Sequence, residues 1–176
     1  MSTMPLQWSV DVNAVAHAPA EFSYEASAGE LEGLKRYAEI EDLTSFIANV
    51  RAVPLGQGKV RVSGKLQARL VQSSVVDLKA VPSFLEENFS VDYWPEGSIE
   101  DKDEDAVAFD TDPPEQLTGG CIPIGTLLCE LFVLSIDPYP RNEGDEFQWA
   151  PPASEPDANP FADLAHFRLH KAQNED

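Results

Sequence analysis

The sequence predicts an α+β fold: an antiparallel β-sheet meander, open or barrel-like, packed by one core-facing helix, with short helices near the N- and C-termini. Three observations carry that expectation. Residues 43–76 form two long β-type runs around Gly56-Gln57-Gly58, a hairpin signature. Ile124, Leu127, Leu128, Leu131 and Leu134 recur at helical spacing until Asp137-Pro138, where proline cannot continue the hydrogen-bond ladder. With 176 residues, 43% of them hydrophobic, the chain can bury one sizeable core.

Taken in order, Leu6, Trp8, Val10 and Val12 alternate with polar residues and predict a half-buried strand over about residues 6–12. Phe22 to Ala26 alternates in the same way. Ser27 followed by Glu30 reads as a capping box that opens a short helix over about residues 29–38. Leu43 to Leu55 and Lys59 to Val76 are the two hairpin strands. Gly64 interrupts the second of them and marks a bulge or a close backbone approach. Val81 to Tyr93, with Phe89, Val91 and Tyr93 in alternation, adds another antiparallel strand. Residues 95–120 set nine acids against the single base Lys102 and predict a solvated loop. Beyond Arg141 the chain turns rich in proline and acids. Asn159-Pro160-Phe161 then carries the capping asparagine and first-turn proline of a last short helix. One domain over 1–145 and a tail over 146–176 are the expected organisation.

Twelve bases oppose 31 acids, a formal charge of -19. Residues 1–88 account for 8 - 11 = -3 and residues 89–176 for 4 - 20 = -16. Such a chain repels phosphate over a Debye length of roughly 10 Å at 0.1 M salt, so any nucleic-acid contact has to be local. The N-terminus has no basic region followed by an apolar run, so no secretory leader is expected, and Cys121 and Cys129 are expected to be reduced and buried. Apolar stretches reach about a dozen residues, short of the ~20 that span a membrane. A cytoplasmic protein follows as the expectation.

No phosphate-binding glycine loop, nucleophile elbow, His-Glu-x-x-His or Cys-x-x-Cys occurs. His166 and His170 are spaced i, i+4 with Asp163 nearby. Two ligands on a terminal helix make a weak metal site, so no metal, cofactor or small-molecule substrate is expected. Residues 96–115 lack the ligand spacing and turn glycine of an EF-hand.

The hairpin carries the candidate site. Arg51, Lys59, Arg61, Lys65 and Arg69 are the only charges between Leu43 and Val76. Lys59, Arg61, Lys65 and Arg69 all hold odd positions, so strand alternation places them on one face, provided that no bulge at Gly64 flips the register. Val60, Val62, Leu66, Ala68 and Leu70 would then face the core. Such a stripe suits phosphate or an acidic partner, and it is equally an ordinary solvated outer face with acidic partners in cis.

Several stretches resemble, in order, the YceD-like family of large-subunit ribosomal RNA accumulation proteins, in particular its alphaproteobacterial branch. Gly64-Lys65-Leu66-Gln67-Ala68-Arg69-Leu70-Val71-Gln72 and the following Ser73 to Leu78 are similar to the family's central strand. Glu86-Glu87-Asn88-Phe89-Ser90-Val91 resembles its acidic-then-Phe strand. Asp137-Pro138-Tyr139-Pro140-Arg141 is similar to its helix exit, and Asn159 to Leu164 to its closing Pro-Phe-x-x-Leu segment. The chain departs from the pattern where many members carry Cys-x-x-Cys: Ser74 and Asp77 stand there, so a metal or thiol role of that motif cannot operate here. The resemblance covers about residues 5–171. It implies a non-enzymatic role in synthesis, processing or accumulation of large-subunit ribosomal RNA, by binding that RNA, a ribosomal protein or an assembly intermediate. Two other readings compete: an acidic chaperone-like protein that shields a basic ribosomal protein, and a metal-dependent enzyme built on His166 and His170.

Overall fold

A computed structural model describes residues 4–98 and 113–144, all within one compact unit, Met1–Asp145. The elements are β1 (Val10–Asp11), a 3-10 turn (Val12–Val15), β2 (Ala20–Glu25), α1 (Ala28–Tyr37), β3 (Asp42–Gly56), β4 (Lys59–Ser73), β5 (Ala80–Pro95), β6 (Glu115–Leu117), β7 (Cys121–Ile122) and α2 (Ile124–Ser135). Strands β2-β3-β4-β5-β6 form one mixed sheet in that order, antiparallel except for the parallel β5–β6 pair, and β1 pairs with β7 in a separate ribbon. The fold is α+β, as the sequence predicts. The barrel-like form is not found: β2 and β6 are edges at opposite ends of an open sheet.

The hairpin closes where the glycines stand. Gly56 pairs with Lys59 across Gln57 and Gly58, whose φ of 55° and 75° are the left-handed pair of a tight turn that matches the twist of the strands. No bulge occurs at Gly64. Its pairing with Val50 and Phe89 is continuous, and the register shifts of the hairpin lie at Leu43/Ser45 and Pro54/Gly56. Alternation therefore holds along all of β4, with even positions turned inward.

The inward face is a checkerboard of large and small residues. Phe46 stands opposite Ala68, Ala48 opposite Leu66, Val50 opposite Gly64 and Ala52 opposite Val62. Each large side chain thus has a small neighbour across the strand, which lets a second layer interdigitate at crystal-like density. That layer is α1 through Leu34, α2 through Ile124, Leu128, Cys129 and Phe132, and the N-terminal segment through Leu6, Val10 and Val15, all buried.

Four expectations need correction. The first predicted strand is strand only at Val10–Asp11, because its backbone bonds to residues 120–125 rather than to the main sheet: Val12 N donates to Gly120 O, and Gly125 N to Trp8 O at 2.7 Å. Trp8 lies flat on Tyr24, with ring centroids 4.9 Å apart and 6° between planes, which pins this segment over β2. Part of the predicted acidic loop is β6, with β7 directly after the loop's end. Leu134, predicted to face the core, is 80% exposed, because α2 is buried along Ile124, Leu128 and Phe132 and Leu134 falls off that line. Cys121 is exposed and Cys129 buried, since Ile122, not Cys121, is the inward residue of β7. The acidic stretch at 99–112 and the C-terminal helix with His166 and His170 lie outside the described residues.

The capping box at Ser27 and Glu30 forms as predicted and reaches across to the sheet. Ser27 donates from N and Oγ to Glu30 Oε2 at 2.8 and 2.6 Å, and the Tyr24 hydroxyl donates to Glu30 Oε1. The Ser27 and Tyr24 hydroxyls hold the Glu30 carboxyl below its ordinary value of 4.5. A carboxyl depressed by folding contributes stability above 4.5 that is lost as pH falls through and below that value. Glu30→Gln is expected to lower stability at pH 7 by about 1 kcal/mol, the usual worth of a helix cap, and to flatten the acid limb of the stability–pH curve. Urea unfolding from pH 3 to pH 7 measures both; an unchanged acid limb would sink the assignment.

Candidate functional site

With both helices and the N-terminal segment on the inner face, the outer face of β2–β5 has no described element packed on it. Its residues on β4 are half-buried or exposed throughout. The odd positions of β4 bring Lys59, Arg61, Lys65 and Arg69 to this face, and Arg51 joins them because it stands opposite Ser63. All five sequence-predicted residues therefore share one surface. Lys59 to Arg69 spans ten residues, roughly 33 Å along the strand at ~3.3 Å per residue.

The register decides what those bases meet. β4 and β5 pair so that Arg61 faces Asp92, Gln67 faces Glu86, Arg69 faces Phe84, and Lys59 lies over Trp94. Arg61 grips Asp92 with Nε and a terminal nitrogen at 2.6 and 2.8 Å, a fork-on-carboxylate pair. Lys65 Nζ and Gln67 Nε2 share Glu86 at 2.8 and 2.7 Å. Arg51 reaches Glu21 of β2 at 3.8 Å. The Arg61 and Lys65 side chains hold the Asp92 and Glu86 carboxyls below their ordinary values. Lys59 sits 3.8 Å from the centre of the Trp94 ring, and the Arg69 guanidinium 5.7 Å from that of Phe84. The cis partners are carboxylates of β2 and β5; the acidic loop, an expected source, lies mostly outside the described residues.

Between the Arg51 and Lys65 pairs the face dips. Ser23, Asn49 and Ser63 are short, and with Glu21, Arg51 and the Gly64 backbone they line a shallow concavity of about 410 Å³. The face as a whole alternates positive, negative and neutral hydrogen-bonding groups and ends in the exposed Phe84, 58% accessible. It can recognise a partner by charge pattern and hydrogen bonds. Glu21, Glu86, Asp92, Phe84 and Trp94 are the residues that sequence reasoning missed; only the strand register, which a single sequence does not state, brings them to the bases.

Two stretches on which the resemblance rests meet at the far end of β4. Val75 N donates to Pro140 O at 2.9 Å, and Gln72 Nε2 to Asp137 O at 2.8 Å. Ser74 is fully buried, and its Oγ accepts from Val76 N and Asp77 N, while Asp77 pairs with Lys79. The Ser74–Asp77 turn is thus closed by hydroxyl and carboxylate hydrogen bonds. Leu78 follows in the left-handed region at φ 61°, uncommon for so bulky a residue. Among the described residues no group of three His, Cys, Asp or Glu side chains is placed to hold a metal, and no helix is long and apolar enough to cross a membrane. Compared with protein-family models, with curated proteins and with solved structures, the chain matches none of them.

Proposed function

We propose that this chain is a cytoplasmic, non-enzymatic factor in synthesis, processing or accumulation of large-subunit ribosomal RNA, and that it acts by binding RNA or a ribosomal assembly intermediate through the outer face of the sheet. The observation that supports this reading is the joint placement of Arg51, Lys59, Arg61, Lys65 and Arg69 on a face that no described element packs against. The partner class comes from the resemblance of residues 64–78, 86–91 and 137–141 to the YceD-like family.

Exposed ion pairs contribute only about 0–1 kcal/mol each, so a partner can exchange them. Their carboxylates remain in place, however, and repel a phosphate brought to Arg61 or Lys65. Lys59 and Arg69 differ: their partners here are aromatic rings, and among the described residues no carboxylate lies within ion-pair distance of either. These two are the cations of the face best able to take a phosphate, and Arg69 beside the exposed Phe84 also offers a stacking surface to an unpaired base.

A tagged Lys59→Glu/Arg69→Glu variant is expected to recover large-subunit RNA precursors from lysate about tenfold less well than wild type, roughly 1.4 kcal/mol of lost binding. RNA and ribosomal proteins are scored separately. Equal recovery by both proteins removes the outer face from the mechanism. Failure of the wild type to recover any ribosomal component removes the ribosomal reading itself. Recovery of a basic ribosomal protein without RNA, unaffected by the variant, favours the acidic chaperone, for which the -16 of residues 89–176 is the supporting observation.

A further inference from the structure

Strand β5 is paired by β4 from Ala80 to Tyr93, but its other side is paired only at Tyr93–Pro95, by β6. Among the described residues no strand flanks it from Ala80 to Asp92. The residues before β6 are Pro113 and Pro114, which have no N–H to offer a ladder, so β6 cannot extend back along β5 through them. Beside Ser90, Val91 and Asp92 this leaves a lane without strand pairing, bordered by Pro113, and there the structure has a notch of about 630 Å³.

The two sides of the notch differ. On the inner side α2 supplies Leu127, Leu131 and the 80% exposed Leu134. Two exposed carboxylates, Glu115 and Glu130, stand on the same side beside the buried Tyr93, whose hydroxyl is pushed up to about 12 by burial first and by these two charges second. On the outer side Asp92 is already neutralised by Arg61, so among the described residues the charge of the notch without an ion-pair partner is that of Glu115 and Glu130. Apolar surface next to uncompensated carboxylates suits a side chain with a hydrocarbon stem and a cationic head.

We propose that this notch receives an extended basic segment of a partner protein as an added strand on β5, with lysine or arginine at alternate positions. Their stems lie on Leu127, Leu131 and Leu134 and their heads reach Glu115 and Glu130, while the peptide backbone pairs with the free edge at Ser90–Asp92. A second copy of the chain fits poorly, because its own β5 edge carries no lysine or arginine to meet Glu115 and Glu130 and would bring Glu87 into a protein of charge -19. The notch adjoins the outer face at Arg61 and Asp92, but the inference stands or falls without the ribosomal reading.

Fluorescence anisotropy with purified full-length protein tests it, using a labelled peptide of about eight residues that alternates lysine with valine. Wild type is expected to bind this probe and to ignore its glutamate counterpart. Glu115→Lys/Glu130→Lys, both exposed positions, is expected to weaken binding about tenfold, and Leu134→Ser about threefold. N-methylation of the amides on one edge of the probe should abolish binding while N-methylation on the other edge leaves it intact, as strand addition requires. No binding by wild type, equal binding by the charge variant, or indifference to which edge is methylated would each overturn the proposal. Self-association that the probe fails to displace would assign the edge to a second copy and overturn it as well.

Discussion

Phe46→Ala is expected to lower stability by about 3–5 kcal/mol, the cost of removing a fully buried aromatic ring that leaves a cavity. Phe46 is 1% exposed, and its ring meets Phe132 of α2 edge to face, with centroids 5.4 Å apart and 84° between planes. The pair joins the helix layer to the centre of the sheet. Ala48 and Ala68, the inward neighbours of Phe46, are too small to fill the space it would vacate. Phe132→Ala should have a similar effect. The double variant should lose less than the sum, because the two truncations share one cavity and an edge-to-face contact of about 0.5–1.5 kcal/mol. Phe84→Ala, on the exposed outer face, serves as the control and should change stability by well under 1 kcal/mol. Urea unfolding of the four variants beside wild type measures all of this; a loss below about 1 kcal/mol for Phe46→Ala would mean that α2 is not docked on Phe46.

Of the fold, the parts legible in the sequence are those fixed by local chemistry. Gly56-Gln57-Gly58 turns the chain because Gln57 and Gly58 occupy the left-handed region, and Ser27 with Glu30 starts α1 because the two satisfy each other's free groups. Parity along β4 survived because no bulge interrupts it. Segments whose conformation depends on distant partners were illegible. Leu6, Trp8 and Val10 alternate like a sheet strand, yet the segment is held by the backbone of residues 120–125 and by the Tyr24 ring. Helical periodicity likewise put five residues of α2 on one stripe about 100° wide, but the sheet covers only part of that stripe, so Leu134 is left in solvent and Leu127 and Leu131 half-covered.

The same division applies to the candidate site. That Lys59, Arg61, Lys65 and Arg69 share a face follows from alternation within one strand. That Arg61 is tied to Asp92 and Lys65 to Glu86 follows from the β4–β5 register, which is set by a turn of six residues between Ser73 and Ala80. Without that register a stripe of bases reads as an open cationic surface. With it, the centre of the stripe is an ion-paired lattice, and the cations set over aromatic rings stand at its two ends.

Gly64→Ala is expected to lower stability by about 3 kcal/mol, at the upper end of what one added methyl group does in a packed interior. A methyl group built on Gly64 would lie 2.2 Å from the carbonyl oxygen of Asn49, 2.9 Å from the Phe89 ring and 3.1 Å from the Val50 Cα. Two of those three obstacles are backbone atoms of the paired strand β3, which cannot move without opening the hairpin. The third, Phe89, lies across Gly64 because the checkerboard has its smallest residue there, between Val50 on one side and Phe89 on the other. The glycine is therefore a packing requirement at the meeting of three strands. Thermal unfolding should show a fall of roughly 6–12 °C, from about 2–4 °C per kcal/mol in a chain of this size. Ser63→Ala, one residue away but turned to the outer face, should stay within about 0.5 kcal/mol of wild type. Phe89→Leu introduced beside Gly64→Ala should recover part of the loss if the ring is the yielding partner, and none if the Asn49 carbonyl alone sets the limit. A Gly64→Ala protein as stable as wild type would mean that β3 and β4 do not approach as closely as this register places them.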